Sequence, residues 1–330
     1  MTSRTETGLA EYHYLKTIGN AAAPGQIGFR NSVDVALGEG GMLYVLSHAA
    51  ENTPNGKRVA KCTIEEEYFL GEFGSFGAED GQFTWPNSLA VAKDGNVYVT
   101  DEWLHRVSVF DSDGRFLWKW GTQGEGEGQW NRPAGITFDS EDNLLVVDSM
   151  NHRIQKYSKD GRFISQWGGP GEHEGEFNIP WGITVDTGDN VYVADWRNDR
   201  VQKFTAEGRF LMQLGARGDG DGEFNRPSGV AVDREGCIYV TDWGNDRVQV
   251  FDSEGCFMTK FTGDAGMSKW GAERLSSNPE NMLEQRARVK SLDPERRFVQ
   301  PTAVEVDREG RIIIVDSARH RLQIYCKVSG

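Results

Sequence analysis

Two carboxylates occupy positions that small residues hold elsewhere in this chain. Asp34 falls where Ser88, Gly135, Gly182, Gly229 and Ala303 fall in a repeated pattern, and Glu305 falls where Ala36, Ala90, Thr137, Thr184 and Ala231 fall. A carboxylate among small apolar neighbours is costly unless it is solvated, paired or at work. Together Asp34 and Glu305 could hold a divalent cation through oxygen ligands, or one of them could act as a general base. His48 and Glu102, at matching places in successive repeats, could complete an acid–base set for a lyase, hydrolase or isomerase acting on a small molecule. The competing reading is a hydrated channel without catalysis.

A second group combines flat rings with guanidinium groups. Trp85 and Trp181 flank the starts of repeated strands, Trp103, Trp196 and Trp243 sit in turns, and Arg132, Arg197 and Arg226 hold comparable places. Trp270 lies in a separate insertion and is expected to fold over them. Rings interleaved with arginines suit an aromatic or anionic small molecule through stacking and paired hydrogen bonds. Exposed aromatic rims also serve as protein-binding surfaces, so a protein partner is the other expectation.

Other motifs argue against particular chemistries. His105, His152 and His320 each precede a repeated arginine, at places that cannot converge on one metal ion. The loops Gly124-Glu125-Gly126-Glu127-Gly128 and Gly218-Asp219-Gly220-Asp221-Gly222 lack the later glutamate of a calcium loop, and no P-loop Lys-Ser/Thr follows them. There is no Gly-x-Ser-x-Gly nucleophile motif. Nothing in these motifs requires a cofactor, and the divalent cation near the axis is the single one they allow.

These groups need elements to position them, and the sequence repeats its elements. Prolines stand at Pro86, Pro133, Pro180 and Pro227, 47 residues apart, and at Pro301 after 74. Asp101, Asp148, Asp195, Asp242 and Asp316 follow the same steps, as do Arg106, Arg153, Arg200, Arg247 and Arg321. Such a period signals a repeat architecture. Within one copy, Val230-Ala231-Val232, Ile238-Tyr239-Val240 and Val248-Gln249-Val250-Phe251 alternate in polarity between glycine- or acid-containing turns, which predicts four short antiparallel strands. Four-stranded units at a fixed period indicate a β-propeller.

The last repeat, from Phe298, stops after its third strand. Residues Tyr12 to Gly19 supply the missing outer strand, because Tyr14 aligns with Phe116, Phe163, Phe210 and Phe257. That closure predicts six blades with no bare sheet edge. The expected organisation is an all-β single propeller over 12–327, with 12–19 as the outer strand of blade six, a helical insertion at 264–297, and tails at 1–11 and 328–330.

The motifs Pro-x-Gly-Val-Ala-Val-Asp, Ile-Tyr-Val-x-Asp and Asn-x-Arg-Val-Gln-Val-Phe resemble NHL repeats, over nearly the whole chain. The resemblance implies a stand-alone, bacterial-type six-bladed propeller. It allows binding modules for protein or RNA, sensor domains and the lyase half of an amidating enzyme. In that lyase a zinc site uses histidines near inner-strand starts, and the starts here, Phe29-Arg30-Asn31, Phe83-Thr84-Trp85 and Trp130-Asn131-Arg132, have none.

The repeated residues have structural roles. Phe29, Phe83, Trp130, Phe177, Phe224 and Phe298 are expected to plug the seams between blades. Each repeated aspartate is expected to pair with the arginine five residues later. The departures are more informative. Blade one has Ser32 and Ser47 in place of proline and aspartate, and a longer loop at His48 to Lys57. Before blade six, Gly263 to Arg297 contains an insertion, with one short helix expected over Met267 to Leu275 and a second from Asn278-Pro279-Glu280. Both departures belong to one rim, so that decorated face is the expected functional surface.

The net charge of −14 argues against a phosphate-backbone partner. No stretch approaches the ~20 apolar residues of a membrane span, and the N-terminus has no signal-peptide pattern. Cys62, Cys237, Cys256 and Cys326 read as free thiols of a cytoplasmic protein. The combined expectation is a ligand- or protein-binding propeller using the face around the channel, with the acid–base or cation enzyme as the alternative.

Overall fold

A computed structural model describes residues 11–48, 56–277, 291 and 293–328. Six four-stranded antiparallel sheets are arranged as a closed propeller. In blade five the strands are Pro227–Val232, Ile238–Asp242, Arg247–Phe251 and Phe257–Phe261, from the axis outwards. Blade six takes its outer strand from the other end of the chain. Glu11–Ile18 pairs antiparallel with Arg321–Val328, from Glu11 opposite Val328 to Ile18 opposite Leu322. The edge that the third strand would otherwise expose is thereby covered.

The seams between blades hold the core. Phe29, Phe83, Trp130, Phe177, Phe224 and Phe298 are all 0–1% exposed, each burial being worth about 1.5–3 kcal/mol for a side chain of this size. The chain reaches each seam through a glycine with positive φ, and at Gly74 and Gly215 an added Cβ would come within 2.2 Å of Phe83 and Phe224. The plug and the glycine beside it are one device.

The aspartate–arginine pairing forms in four blades. Arg153, Arg200, Arg247 and Arg321 donate through Nε to Asp148, Asp195, Asp242 and Asp316 at 2.7–2.8 Å. Blade two departs from the expectation. Asp101 accepts from the backbone N–H groups of Thr84, Trp85, Trp103 and Leu104, while Arg106 donates to the carbonyls of Ala78, Glu79 and Gln82. In blades three to five an asparagine and a glutamine, such as Asn151 and Gln155, donate to the same oxygen as the arginine. Blade two has Leu104 and Ser108 there, so its carboxylate lacks the donors that would fix it beside Arg106.

The histidines link blades. His105, His152 and His320 accept through Nδ1 from the N–H of Arg132, Ile179 and Asn31 in the next blade. Asp199 and Asp246 do the same for Arg226 and Gln300. The donor residues Asn31, Arg132, Ile179, Arg226 and Gln300 all have φ between 44° and 57°, a strained backbone for side chains other than glycine that such a bond helps to hold.

The first helix of the insertion lies away from the decorated face. Helix α1 (Lys269–Ser277) starts after Ser268, whose Oγ accepts the Gly271 N–H and donates to the Gly19 carbonyl. Along this helix, Trp270 Nε1 and Lys269 Nζ donate to the carbonyls of Glu67 and Glu66, and Arg274 donates to that of Ala21. These partners belong to the outer strands of blades six and one and their connections, so α1 packs on the outer wall of the ring. Helix α2 (Asp293–Arg296) sits beside the blade-six turn, with Pro294 O and Glu295 O accepting from Arg319 and Arg321. The second helix expected from Asn278 lies outside the described residues.

Candidate functional site

Inner strands converge so closely that the position shared by Asp34 and Ser88 is glycine in three blades. A Cβ on Gly135, Gly182 or Gly229 would approach the next blade's backbone oxygens of Trp181, Ser228 or Thr302 to 2.4–2.9 Å. Asp34 fits because it replaces that close approach by hydrogen bonds. Its Oδ2 accepts from Ser88 Oγ at 2.6 Å and Leu89 N at 2.9 Å, and its Oδ1 from Val35 N at 2.9 Å. Ser88 Oγ in turn accepts from Ile136 N at 3.2 Å. One carboxylate therefore ties the inner strands of blades one, two and three.

Glu305 stands on the other side of Asp34, in the inner strand of blade six, and both line a constriction with a cavity volume of about 40 Å³. Burial pushes Glu305 up to about 8, the nearby Asp34 carboxylate adds to the rise, and the Val306 N–H opposes it. Burial also pushes Asp34 up to about 6, against its hydrogen bonds from Ser88, Leu89 and Val35. As a cation site the pair is poorly provided. Among the described residues no third His, Cys, Asp or Glu joins it, and the Asp34 oxygens are already occupied by donors.

His48 and Glu102 gather at the start of the same blade-two strand. The His48 Nδ1 lies 2.9 Å from the Pro86 carbonyl, and the ring meets Trp85 edge-on at 4.1 Å. Burial lowers this imidazole to about 4, with Lys57 adding to the effect and the Pro86 carbonyl opposing it. Glu102 takes Asn87 Nδ2 at 3.3 Å and pairs with Arg132 at 3.4 Å; burial raises its carboxyl while Arg132 lowers it. Asp34, His48 and Glu102 thus meet around Pro86-Asn87-Ser88. Each is engaged in fixing backbone or a neighbouring side chain.

The tryptophans separate into two groups. On blades four and five, Trp181 and Trp196 lie 5.8 Å apart with planes inclined at 35°, and Arg226 and Arg197 cover the Trp196 ring at 4.8 and 5.6 Å. Trp181 also lines the channel constriction. On blades one and two, Trp85 lies beneath Lys57 Nζ at 4.8 Å, and Trp103 is 62% exposed. Trp243 is half-buried in the blade-five turn. Trp270 does not join either group: it is 4% exposed and packs between Phe29 and Phe69 at 5.4 and 5.9 Å. The expectation that it folds over the other tryptophans and arginines is corrected, because α1 is held to the outer wall and carries the ring into the seam between blades six and one.

Two features escaped the sequence. Lys57 falls where the other blades carry the linking His or Asp; as a donor, its Nζ bonds to the Thr84 carbonyl. Its alignment before Arg58 was the available signal. The second is the larger cavity, about 930 Å³, which opens on the face opposite the decorated one. Its lining comes from turns that look unremarkable within each repeat.

Comparison with known proteins gives repeat matches and a fold. Residues 177–204 and 224–251 match the NHL repeat, and residues 86–168 match a family described as a six-bladed β-propeller. The B-box type zinc finger protein ncl-1 of Caenorhabditis elegans is 49% identical over 45 residues, 14% of this chain and 5% of that protein. Protein brain tumor of Drosophila melanogaster is 44% identical over 45 residues, 14% of this chain and 4% of its own length. The shared stretch is thus a small part of each relative. Among solved structures, a streptogramin B lyase superposes with a TM-score of 0.59 at 12% identity, covering 98% of this chain and 100% of that one. A gluconolactonase of Xanthomonas campestris gives 0.61 at 13%, over 96% and 99%. At such identities the likeness is one of fold. Among the described residues no helix is long and apolar enough to cross a membrane.

Proposed function

We propose that this six-bladed propeller of NHL repeats is a binding module whose decorated face recognises a flat or acidic group, carried by a protein partner or by an aromatic or anionic small molecule. The observation that carries this reading is the Trp181–Trp196 pair with Arg226 and Arg197 against it at the channel mouth. Neighbouring rings give contact area at little entropic cost, and the guanidinium groups add directional hydrogen bonds to carboxylates. The outward packing of α1 supports it further, since this helix does not lie over the mouth. The overall charge of −14 sets nucleic acid aside as a partner.

Selection of random peptides against the intact protein tests the proposal. Selected peptides should be rich in acidic and aromatic residues, and Trp196→Ala and Arg226→Ala should each weaken them about tenfold or more. Affinities unchanged in both variants would contradict it.

A small-molecule enzyme is the second reading, favoured by one observation. Glu305, raised to about 8, and Asp34, raised to about 6, stand together in the channel, and carboxyl groups of staggered acidity suit acid–base work. The hydrogen bonds that already occupy Asp34, His48 and Glu102 weigh against it. For the same reason a divalent cation between Asp34 and Glu305 is the weaker account of that pair.

A further inference from the structure

The channel has a second mouth, on the face opposite the tryptophans, where the turns between first and second strands surround the axis. We propose that this mouth binds an amphipathic organic anion, a molecule with an apolar body and a carboxylate or phosphate head. Its cavity of about 930 Å³ is of the size that takes a small organic ligand. Leu37, Val91, Val185, Val232 and Val306 hold equivalent positions at the ends of five inner strands and line it. Each is half-buried and packs against the core of a blade seam, so the edge it leaves at the cavity forms an aliphatic collar. The sixth equivalent, Phe138, packs against Tyr98 at 5.0 Å and does not line the cavity. Apolar surface held open in this way favours an apolar body.

The rim supplies the selectivity. Blades five and six carry the same turn, Asp233-Arg234-Glu235-Gly236 and Asp307-Arg308-Glu309-Gly310. Asp233 accepts from Glu235 N, Cys237 N and Tyr239 Oη, and Glu235 pairs with Lys327. Asp307 accepts from Glu309 N and Arg311 N, and Arg311 also pairs with Glu309 and Glu65. The acids of both turns are therefore engaged. Arg234 and Arg308 are exposed on the rim of adjacent blades, and among the described residues neither has an ion-pair partner. Lys93, on the same rim, is held by the Ser140 carbonyl. Of the two blade-one acids on this rim, Glu65 pairs with Arg311 and Glu39 is exposed, which places the anionic head towards blades five and six. Two guanidinium groups beside an apolar collar match a carboxylate or phosphate on a hydrocarbon body.

Titration calorimetry of the full chain with decanoate, decyl phosphate and decanol tests this. Both anions should bind, with decanol at least about tenfold weaker. The double variant Arg234→Ala/Arg308→Ala should lower the anions to the level of decanol, and Thr187→Trp, an exposed lining position, should weaken all three. Trp196→Ala should change none of them, which separates this site from the opposite face. The proposal is overturned if neither anion binds, if decanol matches them, or if the double variant binds them as the natural chain does.

Discussion

Glu305 shows how a single side chain records its surroundings. Its carboxyl is raised to about 8 chiefly by burial, against about 4.3 in an unfolded chain. Between these values the folded state holds a proton that the unfolded state has released, so this group lowers stability as pH rises from about 4.3 to about 8. Glu305→Gln, which stays neutral, removes that loss. Thermal melts at pH 5 and pH 8.5 should show the variant gaining on the natural protein at the higher pH, by at most a few kcal/mol. An equal difference between the two proteins at both pH values would mean that Glu305 is not held in the buried state described. His48 acts in the opposite sense, since its lowered pKa gives stability that is present above pH ~6.5 and fades as pH falls towards about 4. Both residues were legible in the sequence as departures from the repeat. The partner of His48 was not, because Pro86 is an unexceptional member of the same pattern.

At the level of elements, the repeat made the strands and their seams legible. Period-two alternation and glycine turns define each strand locally, and the plugs at Phe29 to Phe298 recur with them. The Asp–Arg pairing was legible for four blades and failed in blade two, where Leu104 and Ser108 replace the supporting amides. The insertion was the least legible element. Its short helix was expected over Met267 to Leu275 and occurs at Lys269–Ser277, but no local pattern states which surface it will cover. Trp270 decides that, by entering the seam beside Phe29 and Phe69. Trp270→Ala should cost about 3–5 kcal/mol in denaturant unfolding, as expected of a buried tryptophan, while peptide binding by the decorated face stays unchanged. Loss of binding without loss of stability would return Trp270 to the site.

The whole molecule is a ring closed by its own two ends, with two unlike mouths. Closure was readable because the last repeat lacks a strand that residues 12–19 resemble. The mouths were less readable, since each is assembled from one turn per blade and no single turn announces it. The decorated mouth gathers Trp181, Trp196, Arg197 and Arg226, and the opposite mouth gathers the aliphatic collar. The central claim is that partners are recognised at the first of these. Hydrogen exchange of the intact chain, with and without a selected peptide, tests it most directly. New protection is predicted in 178–182, 196–199 and 225–228. Protection confined to the turns at 38–41, 92–96, 233–236 and 307–310 would contradict the account.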